Sequence, residues 1–461
     1  MQPNSSSLNF SRKEEEKQEL KKFILLSTCF FLTIVAFSII KPIKQSVFLG
    51  IVGKEYQPLT RFITMALLAP FMFLYSKLVD YLRRYKLLTT IMFFYAGLSV
   101  VFAYLLMHPV YGIANTSKSP WRLLGWGLYV YGDFFQIFVI STFWAFSNSI
   151  TNPQYAKKNY GKMVAVSKLA GLLTGFLAYF TSNSTSSATK AFGGTFLPLY
   201  LLLAGIMMAG AGVTILAIKR LIPGFFLHGY EAVYEIEKKK KDQKTGIFEG
   251  IKLMVTHPYV FGIFGLVFAH EIISTIADYQ MQSLVATYYQ ENIAKMTSFF
   301  FLYTGAFQGL GLFFSYFGTT AALKYLDVKI SLIVSPIIIA SLMLFLLYSP
   351  TLVTVTIVMV VLRAVNYGFN VPVREILYIP TVKDIKFKAK AWTDSFGKTF
   401  SKVAGSTFNF IYKGYGVHSM MVTGSVVSLV ITVGWGLVAL FVGSLYDTAI
   451  KEDKAIEQIE D

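Results

Sequence analysis

The sequence predicts an all-α integral membrane protein: twelve transmembrane helices in two parallel six-helix repeats. Three observations predict it. Of the 461 residues, 54% are hydrophobic and only 15% are charged, more apolar than a water-soluble domain of this length requires. The apolar residues fall into runs long enough to cross a bilayer. A constant offset also aligns polar residues in the first half with polar residues in the second.

The runs lie near 23–49, 58–79, 87–107, 123–150, 160–181 and 195–218, then 258–286, 297–318, 329–349, 351–373, 391–413 and 421–446. The fifth and eleventh carry internal lysines. Charge in the connections orients them. One side collects Lys77, Arg83, Arg84, Lys86, Lys157, Lys158, Lys162, Lys219, Arg220, Lys238–Lys241, Lys383, Lys386 and Lys388; the other holds little beyond Lys54, Lys118, Arg122, Lys190 and Lys413. Both termini are therefore expected in the cytoplasm. The expected organisation is a polar cytoplasmic tail (1–22), a six-helix half (23–218), a basic cytoplasmic linker (219–257), a second six-helix half (258–446) and a charged cytoplasmic tail (447–461). The first 22 residues lack the early apolar core of a cleavable signal peptide. In the linker, "EKKKKDQK" is a solvated topology anchor or a contact for anionic lipid head groups.

The formal net charge is +17. Loop lysines and arginines account for much of it, so nucleic acid is not an expected partner. The single cysteine, Cys29, excludes an intramolecular disulfide and a Cys-rich metal site.

"SKLAG" at 167–171 recurs as "SKVAG" at 401–405, an offset of 234. The same offset sets Arg61 on Lys295 and Lys44 on Asp278. Six spans per half give both halves one orientation, the arrangement of the major facilitator architecture, with a central site between the halves.

Ionisable residues inside a span cost several kcal/mol, so they mark a cavity, a partner or a substrate. The set is Lys41 and Lys44 in span one, Arg61 near the outer end of span two, Asp133 in span four, Lys168 in span five, Glu271 and Asp278 in span seven, Arg363 in span ten, and Asp394, Lys398 and Lys402 in span eleven. Lys44, Asp133, Asp278 and Arg363 fall on the four spans that line the centre of such a fold. Pairing of Lys44 with Asp278 or Asp133 is the structural alternative to substrate contact. It cannot absorb seven cations with four acids. The surplus points to a multiply charged anion, and lysine and arginine suit phosphate. Substrate-binding candidates are Lys44, Asp133, Lys168, Asp278, Arg363, Lys402, Lys41 and Arg61. Tyr131, Phe134, Phe143 and Trp144 near Asp133 are candidates to stack on a base or ring, with packing between helices the favoured reading of each. His270 beside Glu271 is a candidate proton-coupling pair. Arg374 and Glu375 in "PVREILYIP" are a candidate gate, and "SKLVDYLRRYK" after span two loosely resembles the loop lock of major facilitator transporters.

No Walker loop, zinc spacing or Ser–His–Asp set is present. The chain is not expected to be an enzyme or to carry a cofactor or metal. Transport without ATP hydrolysis is secondary, by exchange or by ion coupling.

Three stretches carry a family resemblance. "FWAFSNSITNPQYAKKNYGKM", Phe143–Met163, resembles the F-W-G-F-A-N-Q-I-T and A-K-K-F-Y elements of the ATP/ADP translocases of obligate intracellular bacteria and plastids. "REILYIPTVKDIKFKAKAWTD", Arg374–Asp394, is similar to that family's K-E-M-A-Y-I-P…K-x-K-G-K-A-x-x-D stretch, and "SIIKPIKQSVFL" to its I-L-R-D-T-K-D motif. The resemblance implies ATP/ADP exchange, or transport of another nucleotide, across a bacterial inner membrane. It places the family's span-one lysine on Lys44, its span-four acid on Asp133 and a late lysine on Lys402 or Lys390. Pro42 and Gln45 replace the family's two span-one aspartates, Lys41 replaces its arginine, and its span-seven acid falls on Ser274. Pro42 is expected to kink span one at the cavity. The expected partners are a nucleotide and membrane lipid, and the expected state is a monomer. Two alternatives stand beside exchange: a proton-coupled symporter of a phosphorylated anion, and a membrane interaction protein without transport.

Overall fold

The computed structural model describes residues 12–151, 153–182, 196–223, 227, 249–315, 327–378, 380–381, 385 and 389–452. The Lys238–Lys241 run and most of the linker lie outside them, as do Lys190, Lys383, Lys386 and Lys388 and the side chains of Lys157 and Lys158. Among the described residues there is no strand. The long helices are α1 (Arg12–Ile51), α2 (Leu59–Tyr81), α3 (Arg84–Met107), α4 (Leu123–Ile150), α5 (Pro153–Ser182), α6 (Leu197–Leu221), α7 (Pro258–Tyr288), α8 (Ile293–Phe313), α9 (Val328–Tyr348), α10 (Leu352–Ile376), α11 (Lys398–Tyr412) and α12 (Val417–Glu452).

Among the described residues, ten helices are long and apolar enough to cross a membrane; α8 and α11 are not among them. Polar Thr297, Ser298, Thr304 and Gln308 lower the apolarity of α8. α11 follows a π-helical segment, Thr393–Gly397, and its Lys398, Lys402, Ser401, Thr407 and Asn409 lower its apolarity. Sequence and structure thus agree on an all-helical membrane fold, and ten spans meet the criterion where twelve are expected.

Element ends follow local chemistry. Asn292 caps α8 by accepting from the Lys295 amide at 3.0 Å, and Thr351 caps α10 by accepting from the Thr354 amide at 3.2 Å. After α7, Gln290 and Glu291 adopt left-handed φ of 50° and 58°, turning the chain within a few residues into α8. α1 runs without interruption through Pro42, and the Ser46 hydroxyl donates to the Pro42 carbonyl at 3.0 Å.

Apolar side chains form two cores, one chiefly from α1, α3, α4 and α6, the other chiefly from α7, α9, α10 and α12. The same neighbour relations appear in each group of six. α1 packs on α4, α5 and α6 as α7 packs on α10, α11 and α12; α3 packs on α6 as α9 does on α12. Helices α2 and α8 start at Leu59 and Ile293, 234 residues apart. π-helical segments interrupt α4 at Phe135–Ile140 and α10 at Asn366–Asn370.

The two groups meet chiefly through α5 against α8, α1 against α8 and α2 against α11. The first crossing is backbone to backbone. Each helix carries a G-x-x-x-G pair, Gly171 with Gly175 and Gly305 with Gly309. A Cβ on Gly175 would stand 2.3 Å from the Gly305 nitrogen and 2.6 Å from its Cα.

One face is sealed. Lys118, between α3 and α4, is ion-paired with Glu291. The Lys54 ammonium donates to the Thr287 hydroxyl at 2.8 Å, and Ser182 and Ser46 are hydrogen-bonded to Ser298 and Thr297. On the opposite face the polar ties among the described residues stay inside one group, as in Lys22 to the Ile150 carbonyl, Lys219 to Tyr85, and Tyr259 to the Leu377 carbonyl. Breaking the Lys118–Glu291 pair with Glu291→Gln is expected to shift the sealed state by about 1 kcal/mol, the scale of a half-exposed pair. A cysteine introduced by Ser182→Cys in a Cys29→Ser background should then react about 5-fold faster with a membrane-impermeant maleimide. Unchanged labelling would show that the pair does not hold this face.

Candidate functional site

Helical spacing sets the site residues on shared faces. On α4, Tyr129 and Asp133 are one turn apart; on α7, Asp278 and Gln282; on α10, Arg363 and Tyr367; on α1, Lys41 and Lys44. Where these faces meet, charges alternate across five helices. Lys44 is ion-paired with Asp133. Arg61 of α2 donates from Nη1 to Asp133 Oδ2 at 2.8 Å, and its Nη2 lies 3.8 Å from Asp278 Oδ2. Arg363 donates from Nη2 to Asp278 Oδ1 at 3.2 Å and from Nε to the Tyr303 hydroxyl at 2.7 Å. The order is Lys44, Asp133, Arg61, Asp278, Arg363. Its side chains are 6% to 17% exposed. Charges so removed from water persist only when each has a partner of opposite sign.

Polar neighbours fix the ladder. Thr64 donates to Asp133 at 3.2 Å and Gln282 donates to Asp278 at 2.8 Å. The Tyr129 ring lies under both the Lys44 ammonium, at 4.5 Å, and the Arg61 guanidinium, at 5.7 Å. Gln57 donates to the Tyr129 hydroxyl at 3.3 Å. Gly132 leaves room for the lysine, since a Cβ there would meet Lys44 Cδ at 2.4 Å.

The ladder joins the two groups of helices through Arg61 and Asp278. Lys44 pairs with Asp133, within its own group, rather than with Asp278. Lys41, Lys168 and Lys402 have no carboxylate at ion-pair distance among the described residues. Lys41 lies over the Phe307 ring at 5.0 Å and Lys168 over the Tyr367 ring at 5.8 Å, each across the boundary between groups. Lys402 lies within electrostatic range of both Asp133 and Glu271.

Other expected residues stand apart. His270 is 4% exposed, edge-on to Trp435, and its Nδ1 has no hydrogen-bond partner among the described residues. Arg374 lies 4.0 Å from Asp394, Glu375 is paired with Lys390, and Lys398 bonds Asp394 at 2.8 Å. All of these lie among the last six helices.

The aromatics near Asp133 take the packing role favoured for each. Tyr131, Phe134 and Phe143 are packed into the core at 0–4% exposure, with Phe143 stacked on Phe30 at 4.7 Å; Trp144 meets Phe30 edge-on. None of the three presents a free ring. Lys295, which the offset sets opposite Arg61, is exposed, whereas Arg61 is inside the ladder. The span-seven acid in the ladder is Asp278, the expected candidate one turn from Ser274, where the family's acid falls. Sequence reasoning missed Tyr129, Thr64, Gln282 and Tyr303. One-turn spacing from Asp133 and Asp278 signals Tyr129 and Gln282, but nothing local signals Thr64 or Tyr303.

Residues 14–446 match the TLC ATP/ADP transporter family. The chain belongs to that family. ADP,ATP carrier protein 1 of Rickettsia prowazekii (strain Madrid E) is 23% identical over 451 residues, covering 87% of this chain and 88% of that protein. ADP,ATP carrier protein 1, chloroplastic, of Arabidopsis thaliana is 23% identical over 496 residues, covering 96% of this chain and 77% of that protein. Among solved structures, the inward-open xylose transporter XylE from E. coli shares the fold with a TM-score of 0.57 at 12% identity, over 92% of this chain and 94% of that one. The nucleoside transporter NupG does so with 0.56 at 11%, over 92% and 99%. This TLC transporter is thus a multi-pass membrane carrier with a secondary-transporter fold, and ATP/ADP exchange is the activity its family supports.

Proposed function

We propose that this TLC transporter exchanges ATP for ADP across a bacterial inner membrane by alternating access, with nucleotide phosphates replacing carboxylates in the charge ladder. The ladder itself carries the reading: three cations share two carboxylates, and Lys41, Lys168 and Lys402 stand near with none. Lys44, Arg61 and Arg363 hold phosphate oxygens, the arginines by their forks. Asp133 and Asp278 are the resting partners of those cations. In the empty carrier, Arg61 and Asp278 tie the two six-helix halves, 23–218 and 258–446, across the centre. Arriving phosphates take over the cations, loosen that tie and let the halves rock. Only the loaded carrier then reorients readily, which makes transport an exchange.

Connection charges set the unsealed face in the cytoplasm, with both termini. Arg374 and Glu375 near that face are the gate residues that close it. Lipid surrounds the spans, and one chain contains the whole ladder, so the carrier works as a monomer. The test is uptake into proteoliposomes preloaded with ADP, ATP or nothing. Uptake should require internal nucleotide, and Lys44→Ala and Lys402→Ala should each lower it at least about 100-fold, the scale of losing a charge-assisted phosphate contact. Wild-type uptake by both variants sinks the site assignment. Uptake that needs no internal nucleotide and collapses with a protonophore favours proton symport through Glu271 or His270 instead.

A further inference from the structure

Tyr367 has an environment unlike the other aromatics around the ladder. It lies four residues beyond Arg363 on α10, inside the π-helical turn Asn366–Asn370. That extra residue per turn rotates the following side chains relative to an α-helix. Gly368 next to it lies flat against α8, where a Cβ would meet Phe314 Cβ at 2.6 Å and the Gly311 carbonyl at 3.1 Å. Asn366 and Asn370 are buried and bonded to each other at 3.3 Å, anchoring the segment from both sides. The glycine side is closed by α8, and the tyrosine projects to the boundary between the two helix groups, where Lys168 of α5 reaches its ring.

The ring is nevertheless 41% exposed, while Tyr129, Tyr303 and Tyr131 around the same centre are 1–4% exposed. It is the one residue of these four with substantial exposure. Tyr367 also lies within electrostatic range of Arg363. Lys168, which has no carboxylate partner among the described residues, stands at the same ring. A planar heteroaromatic group with a phosphate attached fits that pair: the ring for the base, the ammonium for the phosphate chain.

We infer that Tyr367 is the stacking platform for the nucleobase, with Lys168 holding the phosphate chain beside it. This deepens the nucleotide-exchange reading and rests on it. Stacking on an aromatic is sequence-tolerant, because every base offers a π-face. The platform therefore recognises purine nucleotides by area rather than by edge contacts.

The experiment measures half-saturating ATP for exchange, and in parallel the inhibition of exchange by inorganic tripolyphosphate, which has no base. Variants are Tyr367→Phe, Tyr367→Trp and Tyr367→Leu in the full chain, each checked by thermal unfolding. Loss of one stacking contact predicts that Tyr367→Leu raises half-saturating ATP about 10- to 100-fold. Tripolyphosphate inhibition should stay unchanged, and Phe or Trp should restore ATP affinity. Equal loss of ATP and tripolyphosphate affinity overturns the proposal, since Tyr367 would then act through the phosphate site. Unchanged ATP affinity in Tyr367→Leu overturns it as well. A wild-type carrier that exchanges no nucleotide overturns the parent reading, and this one with it. Exchange that persists in wild type but is indifferent to Tyr367→Leu refutes the platform alone.

Discussion

An Asp278→Asn carrier is expected to bind nucleotide more tightly and to exchange it at least about 100-fold more slowly. Asp278 is shared by two guanidiniums, Arg61 of the first six helices and Arg363 of the last six. The amide is isosteric and can still accept from Gln282, now 2.8 Å away, so the helix need not move. What disappears is the negative charge. Removing one member of a buried pair costs about 3–5 kcal/mol, and here Arg363 loses its carboxylate while Arg61 keeps Asp133. That cost falls on the empty carrier. A phosphate chain supplies the missing anion, so part of the cost returns as binding energy. Release then slows, because no carboxylate competes for the arginines. Initial rates of ADP/ATP counterflow, half-saturating nucleotide and thermal unfolding with and without ATP read all three consequences. The empty variant should melt below wild type, and saturating ATP should restore more of its stability than it adds to wild type. Weaker nucleotide binding at a normal exchange rate would sink the competition mechanism.

Much of this site was legible before any coordinates. Burying charge is so costly that Lys44, Asp133, Asp278 and Arg363 inside apolar runs had to mark the centre, and all four stand in one ladder. The offset of 234 located more than it explained. It matches the starts of α2 and α8, and it sets Lys44 on Asp278, Tyr129 on Arg363 and Asp133 on Tyr367. Each group thus carries a cation, an acid and a tyrosine at equivalent positions, in permuted order. A repeat that preserves residue types while exchanging their positions is hard to find by matching like with like. The pairing of Lys44 within its own group was not legible either, because both acids stood at similar sequence-derived depth. Packing is the favoured sequence reading of the aromatics near Asp133 and it holds; the aromatic that the sequence did not single out is Tyr367. Tyr131 and Phe143 are near Asp133 in sequence, and helix geometry turns them into the core. Tyr367 is part-exposed beside a π-turn and a glycine contact, neither of which has a dependable sequence signal.

The second large effect concerns how the halves move rather than what they hold. The crossing of α5 and α8 has no side chain between its closest backbones, so Gly175→Ala is expected to remove nearly all exchange. The new methyl would sit 2.3 Å from the Gly305 nitrogen and 2.8 Å from the Phe301 carbonyl oxygen. Those are backbone atoms of a packed helix and cannot swing aside as a flexible side chain does. The helices must separate, and the cross-boundary contacts near them separate too: Ser182 with Ser298, and Lys168 with Tyr367. By contrast, α2 and α11 meet without such a glycine pair, so that side of the boundary has more slack for rocking. Gly161 on the same α5 helix is the internal control, since a Cβ there meets nothing within 4 Å. Gly161→Ala should transport as wild type or fold slightly better, because alanine favours helix over glycine by about 1 kcal/mol. Counterflow and thermal unfolding on both variants separate the cases. If Gly175→Ala exchanges nucleotide at the rate of Gly161→Ala, the close crossing is not the pivot, and the halves rock about α1 with α8 or α2 with α11 instead.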